Sequence, residues 1–377
     1  MGADTRSRGY PEQGDAVWGK RHDMTVRARL PFNAEPPGSV LAGAEITALD
    51  AFYSRNHGQF PDIAPDHWRL RVDGTVDKPL TLTYDQLTKE FTPHSVIATL
   101  ACAGNRRAEL LQVRPIPGKD PWAHGAISTA EWRGARLAEV LEAAGVHHDG
   151  GLHVAFSAPD VAPEAVPVQS YGSSIPLSKA MSQEVLLAWE MNSEPLPRVH
   201  GGPVRVVVPG YIGARSVKWL TAIRVQPGPS ENYFQASDYR ILPADADPDT
   251  AAPGEGISLS SLPLNCDILV PGDDKQIPAG PLTISGWALA GDGRGIGRVD
   301  VSLDGGRIWR QADLQPVISP WSWRLWSMTV AVRPGPISVT ARAWDDTGVT
   351  QPESPASLWN PRGYGNNAWA RVDLTIV

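Results

Sequence analysis

The run Val96-Ile97-Ala98-Thr99-Leu100-Ala101-Cys102-Ala103-Gly104-Asn105-Arg106-Arg107 sets an apolar segment directly before a cysteine, a tight turn and two guanidinium groups. The first six residues read as a buried strand, so Cys102 falls at a strand end, where sites form in α/β folds. A thiolate binds soft or high-valent metals. Gly104 lets backbone N–H groups turn toward a ligand, and Arg106 and Arg107 can fork onto an oxyanion. The plainer alternative is a small core cysteine followed by a solvated surface pair. The run by itself leaves both open.

Outward from this run, strand-like and helix-like segments alternate. Trp68 to Val72, Leu80 to Thr83 and Val204 to Val208 have strand composition, and Tyr84 to Glu90 reads as a helix. Ala135 to Ala144 reads as an amphipathic helix, with Leu137, Val140 and Leu141 on one face and Gly145 to stop it. Leu177 to Met181 and Glu184 to Trp189 fit either helix or strand. Residues 1–30 look like a polar arm, Pro31 to Pro37 like an extended strap, and Pro243 to Gly256 like a linker.

After residue 260 the helical period disappears. Leu282 to Leu289, Val299 to Leu303, Trp323 to Val330, Ile337 to Trp344 and Ala370 to Val377 all read as strands, and Asp304-Gly305-Gly306 reads as a hairpin turn. The expected architecture is an α+β domain over 31–250, followed over 257–377 by an all-β immunoglobulin-like sandwich.

Composition narrows the function. The 377 residues carry 34 Lys and Arg against 41 Asp and Glu, a net charge of −7, so no polybasic surface argues for nucleic acid. A small anion would need local arginines to overcome that field. Two cysteines in different segments make no disulfide framework. No apolar stretch approaches the ~20 residues of a membrane helix, and no signal is read near residue 1. The expected location is cytoplasmic, with a removed leader as the other possibility.

Further motifs give the chain a family resemblance. Pro31-Phe32-Asn33-Ala34-Glu35-Pro36-Pro37, Phe52-Tyr53-Ser54-Arg55-Asn56-His57-Gly58, the Cys102 run, Gly125-Ala126-Ile127-Ser128, Tyr171-Gly172-Ser173-Ser174-Ile175 and Gly213-Ala214-Arg215-Ser216-Val217-Lys218-Trp219 occur in family order. Together they resemble the molybdenum-dependent sulfite oxidases of haem-free type, from about residue 30 to the C-terminus. Val301-Ser302-Leu303-Asp304-Gly305-Gly306 and Trp359-Asn360-Pro361-Arg362-Gly363 resemble that family's dimerisation sandwich.

The resemblance implies one molybdenum-molybdopterin per chain, with Cys102 as the protein's metal ligand and Cys266 structural. Arg55, Arg107 and Arg362 would bind sulfite, Trp122 would shape the anion cavity, and Tyr239 would direct its hydroxyl at substrate. Tyr53, Asn56, His57, Asp160, His200, Arg205, Ser216 and Lys218 would hold the cofactor, with cations for phosphate and a carboxylate for pterin N–H groups. The implied reaction is oxidation of sulfite to sulfate. No haem-attachment motif is read, so an external acceptor, oxygen or a cytochrome, would take the electrons, and a homodimer would form through the sandwich. Two rivals are a nitrate reductase-like molybdenum domain, disfavoured by Tyr239 and Arg362, and a cofactor-free scaffold on the same fold.

Overall fold

A computed structural model describes residues 17–272 and 276–377. Two five-stranded sheets build the first half. In one, Pro93–Ala101 pairs antiparallel with Ile127–Arg136, which pairs with Leu186–Met191, and Arg205–Val207 joins on the far side. In the other, the order is Leu80–Thr83, Arg69–Gly74, Ala222–Pro227, Leu152–Ala162, Gln169–Pro176. The contact between Ala222–Pro227 and Arg69–Gly74 is parallel.

The α+β expectation holds with helices reduced to short pieces. Tyr84–Glu90 is a helix as its sequence predicts, because Thr83 and Gln86 form a reciprocal capping box at its start. The helix expected over Ala135 to Ala144 begins later, at Leu137–Ala143, since Ala135 and Arg136 still belong to a strand paired with Leu187 and Leu186. The two ambiguous segments divide: Leu177–Ala180 is a helical turn and Leu186–Met191 a strand with partners on both sides.

The C-terminal strands form two facing sheets. One orders Asn265–Val270, Gly280–Leu289, Arg324–Val332, Asp313–Leu314; the other orders Gln276–Ile277, Ala370–Ile376, Gly335–Asp345, Ile296–Ser302, Arg310–Gln311. Their inner faces meet in a core of Ile284, Trp326, Val299, Val339 and Val372. The turn at Asp304 is wider than a two-residue hairpin. Pairing resumes only at Arg310, and the Asp304 carboxylate organises the loop by accepting from the N–H groups of Arg307 and Ile308.

Two segments differ from their composition. Residues 1–16 of the expected polar arm lie outside the described residues, but Thr25–Ala28 pairs with Asn33–Glu35, and Lys20 is only 3% exposed. The stretch from Pro243 to Gly256, which resembles a linker, is a closed loop. Its flanks Arg240–Ile241 and Ile257–Ser258 pair antiparallel, and Arg240 caps the carbonyls of Gly254, Glu255 and Gly256. The halves share a core, since Trp287, Leu289 and Trp323 belong to the same buried cluster as Ala101, Phe234 and Tyr239.

Candidate active site

Cys102 sits one residue past the strand Pro93–Ala101 and is buried. Its N–H donates to Ala126 O at 2.9 Å, and Asn105 Oδ1 accepts from Ala126 N–H at 3.0 Å, so the loop is laced to the start of the neighbouring strand. Gly104 N–H points at Cys102 Sγ, 3.4 Å away. Burial raises the thiol pKa against the pull of Arg107 and Arg55. The group therefore stays a neutral thiol until a metal cation displaces its proton.

The paired arginines diverge. Arg106 takes a left-handed backbone (φ 62°), and Arg107 opens the helix Arg107–Val113. Arg107 turns inward, donating from Nε to Gly363 O at 3.0 Å and from Nη1 to Asp120 O at 2.8 Å. Two glycines make room for it. A Cβ on Gly104 would lie 2.2 Å from Arg107 Nη2, and one on Gly363 would lie 2.8 Å from Nε. Arg106 turns the other way and grips the C-terminal strands, donating to Asn265 Oδ1, Cys266 O and Ala368 O as well as to Glu109. The expectation that both guanidiniums reach an anion is therefore corrected: only Arg107 faces the site.

Two cavities meet at Cys102. One cleft is lined by Tyr53, Asn56, His57, Asp160, His200, Arg205, Ser216 and Lys218, among others. A second is lined by Arg107, Lys119, Asp120, Glu164, Asp238 and Tyr364, among others. Arg55, Cys102 and Tyr239 line both. All eight residues expected to hold a cofactor thus line one cleft, and its junction with the second cavity holds the expected metal ligand.

The first cleft is rich in cations. Lys218 Nζ donates to Arg55 O at 3.0 Å and also to Asn56 Oδ1. Burial and the neighbouring Arg205 push its pKa well below the ordinary lysine value, with Asp160 opposing. Arg205 is held by His200 O at 2.9 Å and Ser216 O at 2.7 Å. Asp160 carries the one carboxylate among the eight, and burial raises its pKa to about 7 against Lys218. Its Oδ1 is buried without a hydrogen-bond partner among the described residues. A ligand with N–H donors at one end and phosphate at the other would satisfy this orphaned acceptor and offset the excess positive charge. A pterin phosphate fits both requirements.

A hydrogen-bonded chain leads out of the junction. Tyr239 OH lies 2.7 Å from His57 Nε2, and His57 Nδ1 contacts the Glu164 carboxylate, whose side chain is 43% exposed. Burial and Arg55 lower the His57 pKa to about 4 despite Glu164, so the ring is neutral at pH 7. Burial alone would raise the Glu164 pKa, but its bond to His57 and the positive groups nearby leave it lowered. Glu164 is therefore an anion that takes Nδ1–H, which assigns Nε2 as the acceptor of the Tyr239 hydroxyl. Burial holds the Tyr239 phenol well above its usual pKa.

Asp238 forms a hub at the wall of the second cavity. Its carboxylate accepts from Lys119 Nζ at 2.6 Å, Tyr364 OH at 2.9 Å and Arg362 Nη1 at 3.1 Å. Burial opposes ionisation, but Lys119, His57 and Arg362 overcome it and hold the carboxyl far below its ordinary range. Arg362, expected to bind the anion directly, stands behind Asp238, with Nη2 on Pro248 O at 3.2 Å. Its Nε is buried and has no partner among the described residues. Trp122, expected as a cavity wall, lines neither cavity. It is wholly buried among Phe52, Tyr53, Cys102 and Trp132, where its apolar area packs behind the cysteine.

Sequence reasoning did not single out Glu164, Lys119, Asp238 or Tyr364. Asp238 adjoins Tyr239, and Tyr364 lies two residues beyond Arg362, so proximity to motif residues was the available signal. Glu164 and Lys119 sit in loops with no local pattern.

Residues 57–234 match the oxidoreductase molybdopterin binding domain, and residues 257–377 match the Mo-co oxidoreductase dimerisation domain. The chain is 44% identical to sulfite oxidase of Gallus gallus over 92% of its own length and 77% of that protein. It is 38% identical to nitrate reductase [NAD(P)H] of Hordeum vulgare over 96% of its length, spanning 43% of that protein. Among solved structures, the sulfane dehydrogenase SoxCD of Paracoccus pantotrophus superposes with a TM-score of 0.78 at 28% identity, covering 98% of this chain and 92% of that one.

Proposed function

The chain belongs to the sulfite oxidase family of molybdopterin oxidoreductases, and we propose that it oxidises sulfite to sulfate where its two cavities meet. The observation that carries this reading is the convergence of Cys102, Arg55 and Tyr239 on one junction between a cation-rich cleft and a cavity lined by Arg107 and Lys119 together with the carboxylates of Asp120, Glu164 and Asp238. Tyr53, Asn56, His57, Asp160, His200, Arg205, Ser216 and Lys218 would hold the pterin, and Cys102 would ligate molybdenum. When bound, this cofactor supplies the oxygen atom and the two-electron redox chemistry.

The chain's own residues supply recognition and proton movement. Arg55 and Arg107 are fixed guanidinium donors, and they offset the desolvation of a dianion. Lys119 adds positive charge from the cavity wall and Arg362 from behind Asp238. The net reaction consumes one water and releases two protons and two electrons. A proton taken up at Tyr239 Oη passes the phenol's own proton to His57 Nε2, while Nδ1–H moves to Glu164 and from there to solvent. The electrons pass to an external acceptor, oxygen or a cytochrome, and the C-terminal strands make the contact between two copies of the chain.

Sulfite-dependent reduction of ferricyanide by protein of known molybdenum content tests the reading. Turnover that scales with metal content is expected. Fully metallated protein that leaves sulfite untouched and reduces nitrate would overturn it in favour of the nitrate reductase-like alternative.

A further inference from the structure

Lys20 lies in a segment whose composition suggests a solvated arm, yet its ammonium is buried and fully engaged. It donates to Leu49 O at 2.6 Å, to Phe52 O at 2.7 Å and to His200 Nε2 at 2.6 Å. Three acceptors from two separate parts of the chain thus use all three ammonium hydrogens. Phe52 and His200 both line the cofactor cleft and their rings meet edge-on at 5.1 Å, whereas Lys20 stands behind them.

The contact dictates the state of His200. The protonated form of Lys20 has no lone pair, so toward it Nε2 accepts and the ring proton sits on Nδ1. Burial, with Lys20, Lys218 and Arg205 nearby, keeps the ring neutral. Its remaining polar atom is then a donor, which suits a carbonyl or phosphate oxygen. Burial costs Lys20 as well, lowering its pKa to about 7 with only Asp50 opposing. A lysine nitrogen buried at 3% exposure and bonded to Leu49 O, Phe52 O and His200 Nε2 points to a role beyond surface solvation.

We propose that Lys20 is a positioning residue of the cofactor cleft, which holds the Phe52 carbonyl and fixes His200 as a neutral Nδ1–H donor for the bound pterin. The inference rests on the cofactor reading given above. Lys20, like Tyr53 and Asn56, lies before the matched molybdopterin-binding segment at 57–234.

The test uses the holoenzyme and its Lys20→Met, Lys20→Arg and Met24→Ala variants. Met24 packs in the same N-terminal segment, in a cluster with Phe32 and Val199, so its truncation reports the effect of loosened packing. Pterin release is followed by the fluorescence of free pterin, and the His200 ring nitrogens by 15N resonances in histidine-labelled protein. Lys20→Met is expected to release pterin about tenfold faster and to lose the single-tautomer signature. Lys20→Arg should recover part of the retention, and Met24→Ala should lower thermal stability while keeping pterin and tautomer. Wild-type release rates and an unchanged tautomer in Lys20→Met, or equal pterin loss in Met24→Ala, would overturn the role. Wild-type protein isolated with metal but no pterin would instead overturn the cofactor reading beneath it.

Discussion

Replacing Asp238 by asparagine separates the two tasks assigned to the cations around it. The carboxylate is 1% exposed and accepts from Lys119, Tyr364 and Arg362. Asparagine keeps the size but removes the charge, leaving one ammonium and one guanidinium uncompensated in a largely buried site. Breaking a buried pair from one side costs about 3–5 kcal/mol, or roughly 6–20 °C in Tm for a domain of a few hundred residues. The pH dependence has a definite sign. Because the Asp238 pKa is depressed, its contribution is present above the ordinary carboxylate value near ~3.9 and is lost as pH falls below it. The stability curves of wild type and variant should therefore differ at pH 7 and converge in acid. The same substitution removes a negative charge from the wall of the anion cavity. A unit charge at roughly 8 Å is worth about 2 kcal/mol at an effective dielectric near 20, so the KM for sulfite should fall about thirtyfold even as the protein loses stability. Thermal unfolding at several pH values and steady-state kinetics with ferricyanide measure both effects. A KM that stays constant or rises alongside the stability loss would refute the idea that Lys119 and Arg362 act on the anion.

Three other substitutions probe separate parts of the site. Glu164→Gln can still accept from His57 but cannot take its proton, so kcat should fall about tenfold. This is less than the ~100-fold of an enclosed acid–base group, because Glu164 is 43% exposed and water can substitute. Wild-type turnover should also decline on acidification as Glu164 protonates, and a variant that keeps that limb, or loses less than twofold in kcat, would count against the relay. Cys102→Ser should remove one sulfur from the metal's coordination shell, visible by X-ray absorption, and cut turnover about a hundredfold; an unaltered shell would contradict its role as ligand. Arg106→Met should lower stability by about 3 kcal/mol, read by denaturant unfolding, because it leaves the buried Asp267 carboxylate and several carbonyls short of a partner. A loss below 1 kcal/mol would show that those contacts are replaceable.

Much of this site was legible in the sequence because its residues cluster in short motifs. Cys102 follows an apolar strand, and the strand's exit fixes where the thiol emerges. Tyr53, Arg55, Asn56 and His57 fall within five residues, and Ser216 and Lys218 within three, so recognising each motif was enough to find them together. What remained hidden depends on direction and on long-range contact. Whether Arg106 or Arg107 faces the cavity is decided by one left-handed residue, whose conformation no local pattern announces. Trp122 and Arg362 were placed in the right neighbourhood, but burial depth and the carboxylate standing between Arg362 and the cavity are properties of the packed chain. Glu164 and Lys119 come from loops, where side-chain identity has no periodicity to read. Lys20 had the composition of a surface residue and the surroundings of an interior one.

Arg106 and Arg107, neighbours in sequence, fasten the cysteine loop to the C-terminal half at Cys266, Ala368 and Gly363. The sandwich thus acts as an outer splint for the metal loop as well as a contact surface between copies. A version of the protein cut off near residue 256 would lose the Gly363 carbonyl, one of the two that aim Arg107, and keep only that of Asp120. Grafting this catalytic half onto another partner domain therefore requires carrying those few C-terminal loops along, however little chemistry they perform themselves.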